Sequence, residues 1–424
     1  MKEKEITKSV IKFYFESGDF NGYPVYRLKE EFGLSDVQAK RVMRNLIKSQ
    51  KVDVVFGNIH HNSHIKAFSN TSREDQLKFL EELEFSEHFC LYPSSELLRS
   101  SPESKNFEHS PYTKQLALGA GQLDFRVFDL SVLEYYRNDP RYYYETNSID
   151  GHISIRDEYF ESASMPEHDQ VLLESFGFAY DENFNRAVAI FLCYLSRLSK
   201  EHQNIWAAKE LKDSYKLHPD YYRSSILGEW GTRIPVFEAF TQELELINKM
   251  ATLMGRKSLF KESYIKNRPK EFGFLLRPTL AEFNSFVMLL DKMLSDNIQK
   301  NFFGSDLALE QEEERKDGKI LIHSKGTITL LEEWVRSHFR PFDMEPLEQM
   351  FSALRKIRSL RQKPAHAVNE NIFDMKYFKE QRQLLIEVYG AIRTLRLILA
   401  NHPKVRQNPP EIDEYLFKGE IWVI

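Results

Sequence analysis

Residues 279–303 read TLAEFNSFVMLLDKMLSDNIQKNFF, and Leu280, Phe283, Val287, Leu290, Leu294 and Ile298 fall on one broad helical stripe. A helix of about five turns is expected there. Outward along the chain, TITLLEEWVRSHF (327–339), PLEQMFSALRKIRSL (346–360) and FDMKYFKEQRQLLIEVYGAIRTLRLILA (373–400) repeat the pattern. Four amphipathic helices can bury their stripes together, so 273–402 reads as a helical bundle with 403–424 as its tail. QEEERKDGK (311–319) is charged and reads as an exposed connection.

The 424 residues exceed one minimal module and suffice for two or three cores. A hydrophobic share of 42% with 29% charged residues permits ordinary cores and argues against a wholly disordered chain. No run of about 18 apolar residues occurs, so a membrane protein is not expected. Met1 is followed by Lys, Glu, Lys and Glu without an apolar signal core, and Cys90 and Cys193 are the only cysteines. Neither a disulfide framework nor a thiolate zinc site is indicated, and the expected compartment is the cytoplasm.

The formal charge of -5 hides an uneven distribution. Residues 1–68 hold twelve Lys or Arg against eight Asp or Glu, and residues 340–400 hold eleven against seven. Both ends are locally basic and can attract nucleic acid, while the stretch between them is acidic.

In the first segment, ITKSVIKFYFESG places Ile6, Val10, Ile11 and Phe15 on a helical face. VYRLKEEFG and SDVQAKRVMRNLIKSQ add two short helices, the latter capped by Ser35 or Asp36. KVDVVFGN then turns to strand periodicity, with Gly57 and Asn58 offering a turn into HHNSHIKAF. Three helices followed by a hairpin over residues 1–68 resemble the winged helix-turn-helix family, with Leu28, Phe32, Leu34, Val37 and Val42 as the apolar framework. The resemblance implies that the third helix reads a duplex groove, through Lys40, Arg41, Arg44, Asn45 and Lys48. Lys51, His60, His61 and His64 would approach a backbone from the wing. A protein-contact wing and a plain solvated face are the alternatives.

Residues 69–121 read as a connecting helix and linker, and GAGQ (119–122) as a structural turn lacking the Lys and Ser or Thr of a phosphate loop. Residues 122–272 read as an aromatic-rich sensing or scaffold domain, mixed α/β or helical. Its tyrosines, among them Tyr135, Tyr136, Tyr142, Tyr143 and Tyr144, favour packing over a stacking platform for single strands, because no Lys and Arg stripe interleaves them. FNRAVAIFLCYLSRLS and IPVFEAFTQELELINKMATLMG read as helices. Asp157, Glu158, Glu161, Glu167, His168 and Asp169 read as charged loop residues, and Cys193 as a small buried hydrophobe. The fold class expected is mainly α and multidomain.

Between the last two helices lies RQKPAHAVNEN (361–371), where Pro364 interrupts the helix between Arg361 and His366. Arg361, Gln362 and His366, set in four helices, resemble the motif of the HEPN family, the higher-eukaryote-and-prokaryote nucleotide-binding helical domains. The likeness covers roughly 274–400. It implies a metal-independent endoribonuclease, with no cofactor, acting at an interface between two copies. His366 would exchange a proton and Arg361 would hold the scissile phosphate, using the 2′-hydroxyl of RNA. Gln362, Arg358, Asn369 and Asn371 are the substrate-binding candidates, and the alternative for the motif is a salt-bridged helix junction. RNA and a second copy of the chain are the expected partners, with DNA and a defence or antitoxin protein as further candidates, in an antiphage or toxin role. Two other readings stay open: a DNA-binding regulator that senses a ligand and dimerises through its carboxy-terminal region, and a nonenzymatic protein scaffold.

Overall fold

The computed structural model describes residues 2–56, 64–66, 71–82, 89–147, 149–160, 165–304, 306–314, 320–362 and 370–423. They form two compact units, Met1–Tyr144 with Asp150–Gly228, and Glu145–Ile149 with Glu229–Ile424. Helix and strand are both present in quantity, with helix the larger share.

The first unit opens with α1 (Lys2–Glu16), β1 (Tyr23–Pro24), α2 (Val25–Phe32) and α3 (Asp36–Lys48). Ile6, Val10, Leu28, Met43 and Leu46 bury their side chains in one cluster, which is why the three amphipathic helices close on each other. Gly33 ends α2 in the left-handed region at φ 58°, returning its N–H to the Lys29 carbonyl. Ser35 caps α3, and the Gln38 side chain completes a capping box. β2 (Val52–Phe56) follows, then α4 (Arg73–Glu82) and β3 (Phe89–Pro93), in a sheet ordered β1-β3-β2.

The partner of β2 is therefore β3, paired from Val52 opposite Pro93 to Phe56 opposite Phe89, and the strand comes from beyond residue 68. All five residues of FCLYP are buried, so this strand offers apolar side chains to both faces. Gly57 and Asn58, expected to turn into a hairpin, lie outside the described residues.

The rest of the first unit is built on a larger sheet, ordered β5-β6-β7-β8-β4-β9, with β10 also on β7. Its strands are β4 (Phe125–Phe128), β5 (Tyr142–Thr146), β6 (Asp150–Ile155), β7 (Leu172–Tyr180), β8 (Arg186–Phe191), β9 (Glu210–Leu211) and β10 (Lys216–Leu217). β8 corrects the expectation of a helix through FNRAVAIF. It lies between β7 and β4 with both faces covered, and a short continuous apolar run looks the same in a buried strand as on a buried helix. A side chain at Gly177 would collide with the Tyr221 ring, so glycine there lets the aromatic layer close on β7. Gln122, at the end of GAGQ, bonds Lys66 N, Lys66 O and Phe20 O, a structural use of that turn.

Among its described residues the second unit has five long helices: α6 (Val236–Leu253), α7 (Leu280–Leu294), α8 (Thr327–His338), α9 (Glu345–Gln362) and α10 (Lys376–Ala400). One continuous core joins all of them, so α6, expected with the aromatic middle segment, packs with the carboxy-terminal helices. Phe283, Val287, Leu290, Leu294 and Ile298 of the opening stripe are buried, and Leu280 is half-buried. α7 stops at Leu294, where a 3₁₀ turn carries Ser295–Asn297. The buried Gln381 amide bonds Gly273 O and Leu275 N, tying the segment before α7 to α10.

β11 (Ile234–Pro235) pairs in parallel with β14 (Ile421–Trp422). Residues 311–314, expected as part of an exposed connection, belong to a strand, β12 (Glu310–Glu314), paired antiparallel with β13 (Ile320–Ser324). The β-branched ILIHS segment supplies the partner that charge content alone concealed. Among the described residues no helix is long and apolar enough to cross a membrane.

Candidate active site and nucleic-acid interface

α9 forms because Leu347, Met350, Phe351, Leu354 and Ile357 bury one face against the core, with Glu345 and Glu348 in its first turn and Arg361 in its last, the polarity that suits a helix dipole. Its last turns carry Arg355, Arg358, Arg361 and Gln362. The Arg358 Nη1 donates to Asp291 Oδ2 at 2.8 Å and Asp296 Oδ1 at 3.2 Å. The Arg361 Nη1 donates to Asp296 Oδ2 at 2.9 Å and to the same Asp291 Oδ2. Asp291 is fully buried, and its Oδ1 accepts from Ser295 Oγ at 2.6 Å.

Hydrogen bonds to Asp291 and then Asp296 push the Arg361 pKa up, so its charge is fixed. Burial works against the charge of Asp296, but the bonds from Arg361 and Arg358 outweigh it and hold the carboxyl below its usual range. Among the described residues both arginines bond Asp291 and Asp296 through Nη1 alone, so these two carboxylates do not use Nε and Nη2.

Beside the pair lies a cleft of about 280 Å³ lined by Arg355, Arg358, Gln362, Ser295, Thr327 and Thr329. Gly326 caps α8 at this cleft without a side-chain acceptor, so the first turn adds backbone N–H groups and the positive end of a dipole. The Arg355 guanidinium is shared with Glu332 of α8.

The other predicted positions are placed differently. His366 and Asn369 lie outside the described residues. Asn371 Oδ1 accepts from Ala281 N at 2.9 Å, so its amide caps the first turn of α7. Ala281 and Asp291 are ten residues apart on that helix, roughly 15 Å of rise. The structure therefore gathers Arg358, Arg361 and Gln362 at one end of α7 and holds Asn371 at the other.

In the first unit, Arg41 and Lys48 are exposed on α3, and Val37 is 79% exposed on the same face. Arg44 Nε donates to Glu81 of α4 at 2.6 Å, and Asn45 Nδ2 donates to Glu3 at 2.9 Å. Lys40 is half-buried. His64 lies against Gly22 O at 3.2 Å and Cys90 Sγ at 3.7 Å, while His60 and His61 fall outside the described residues.

No protein-family model, curated protein or solved structure matches this chain.

One constellation was not legible in the sequence. On α5 (Lys200–Ala207), the Trp206 indole donates to the Tyr136 hydroxyl at 2.9 Å, which stands 2.7 Å from His202 Nδ1. His202 Nε2 is 3.1 Å from Asp169 Oδ1. An indole only donates and a carboxylate only accepts, so the consistent assignment is Trp206 to Tyr136 to His202 Nδ1, with the ring proton on Nε2 facing Asp169. Burial lowers the His202 pKa, against the opposing pull of the Asp169 hydrogen bond. Sixty-odd residues separate Tyr136 from His202, and no spacing rule joins them. Among the described residues, no group of three or more His, Cys, Asp or Glu converges in a metal-holding arrangement.

Proposed function

We propose that the chain is an endoribonuclease whose second unit acts as a HEPN-type domain. The observation that carries this reading is the Arg358 and Arg361 pair, fixed on buried Asp291 beside a cleft lined by Arg355 and Gln362. A guanidinium already anchored through one nitrogen has donors left to offer phosphate oxygens and loses less freedom when RNA binds. The arginines are 43% and 31% exposed, enough for a polyanion to reach them.

In the proposed reaction the 2′-hydroxyl oxygen adds to the adjacent phosphorus as its proton passes to His366. The bond to the 5′-oxygen breaks as that oxygen takes up a proton, leaving a 2′,3′-cyclic phosphate and a 5′-hydroxyl. Arg361 balances the charge that grows on the non-bridging oxygens.

The test incubates the purified protein with mixed RNAs and a chelator, beside Arg361→Ala and His366→Ala. Cleavage with cyclic-phosphate ends is expected, and each variant should be slower by about 10²-fold or more. Absence of cuts under every activating condition, or variants as fast as the parent, would overturn the reading.

A second reading attaches to the first unit. Its order of helix, strand, two helices, strand, helix and strand, with Arg41 and Lys48 exposed on the capped α3, supports a winged-helix contact to a duplex. Tight sequence-dependent duplex binding by a chain that leaves RNA intact would select a DNA-binding regulator over the nuclease.

A further inference from the structure

The ribbon of β12 and β13 stands apart from the other sheets of the second unit: among the described residues it has two strands and no third. A two-stranded ribbon is marginal by itself in water. This one is anchored at its base, where Lys325 N bonds Leu309 O, and it turns apolar side chains outward, with Ile320 60% and Ile322 62% exposed. The two edges differ in kind. β12 reads EQEEE, and two copies of that edge would oppose like charges, a common protection of exposed strands. β13 reads ILIHS, without a carboxylate, lysine or arginine to keep another strand away.

We propose that β13 is the edge through which two copies of this chain associate, antiparallel about a two-fold axis, turning two ribbons into one four-stranded sheet. Centred on Leu321, the pairing sets Ile320 opposite Ile322 of the second copy, and the reverse, so four isoleucines share one face. The glutamate edges then lie at the outer sides of the joined sheet, where their charge stops further addition and closes the assembly at two. Only Lys325 separates Ser324 at the end of β13 from Gly326, at most about 7 Å of chain. The interface therefore borders the cleft of Arg355 and Arg358 in each copy. In that respect the inference rests on the ribonuclease reading and names the partner of its site, whereas the association itself is measured without RNA.

The experiment is light scattering on the full chain over a range of concentrations, with Ile322→Lys and, as a matched control, Ile265→Lys, which changes another half-exposed isoleucine of the same unit. The parent and the control should approach twice the 50.1 kDa chain mass as concentration rises. Ile322→Lys should stay at the single-chain mass with an unchanged circular dichroism spectrum. A parent that remains single at every concentration, an Ile322→Lys variant that associates like the parent, or a control that dissociates equally would each overturn the proposal. Mass is read apart from cleavage, so a single-chain parent that still cuts RNA rejects the interface alone, and an inactive dimer rejects the nuclease alone.

Discussion

Asp291 shows how one buried carboxylate can organise a surface. It has no exposure, while its partners Arg358 and Arg361 both reach solvent, so the arginines are drawn to a fixed point. Asp291→Asn keeps the shape and an acceptor for Ser295 but leaves both cations without that buried counter-charge. A loss of about 1 to 3 kcal/mol in urea melts is expected, below the full penalty for a broken buried pair because the arginines stay hydrated. Asp296→Asn, at 45% exposure, should cost less than about 1 kcal/mol, and equal costs would remove Asp291 as the anchor. The arginines were legible because charge clusters on α9. Asp291 was not, since it lies 70 residues from Arg361 and within LLDKML looks like an ordinary polar break in an apolar run. His202 and His218 support a second prediction at this scale. Burial lowers both, His218 to about 4, so the folded state prefers them neutral. Their contribution is present above the unfolded value near 6.5 and lost as pH falls from there toward 4, where the unfolded chain binds the extra protons. Stability should decline over that window, and His202→Gln should flatten the slope even though it lowers stability at pH 8.

The elements that announced themselves in the sequence are those with punctuation. α3 begins where Ser35 and Gln38 stand three apart, and Ser35→Ala should cost about 1 kcal/mol, read by thermal or urea melting. β8 lacked such marks, because AVAIF is apolar without alternation and its identity is decided by neighbours far along the chain. The pairing of β2 with β3 was hidden for the same reason: α4 lies between them in sequence, and local periodicity carries no information about which strand arrives. The basic face of α3 also acquired meaning only with its neighbours. Glu81 and Glu3 occupy Arg44 and Asn45, so duplex phosphates would have to displace them. Glu81→Gln should therefore tighten low-salt duplex binding several-fold in fluorescence anisotropy, while Arg41→Ala and Lys48→Ala each weaken it and reduce the salt slope by about one. Unchanged affinity in all three variants would leave α3 as a solvated face.

At the scale of the molecule, the net charge of -5 averages two basic ends and an acidic stretch, and it says little about partners. The division into two units is more instructive, because each holds its own buried core and the residue-scale effects sort between them. His202 and His218 belong to the first unit, and Asp291 to the second. If each core unfolds cooperatively as its own body, scanning calorimetry on the full chain should resolve two transitions. Lowering the pH from 7 to 5 should then move the transition of the first unit down more than the other, because the histidines held neutral by burial must take up protons when it unfolds. Asp291→Asn should move the second transition and leave the first in place. A change of about 1 kcal/mol corresponds to roughly 2–4 °C for units of this size, within calorimetric resolution. Should both perturbations shift one common transition by the same amount, the units unfold as a single cooperative body, and a change at the arginine cleft would then register in the stability of the first unit as well.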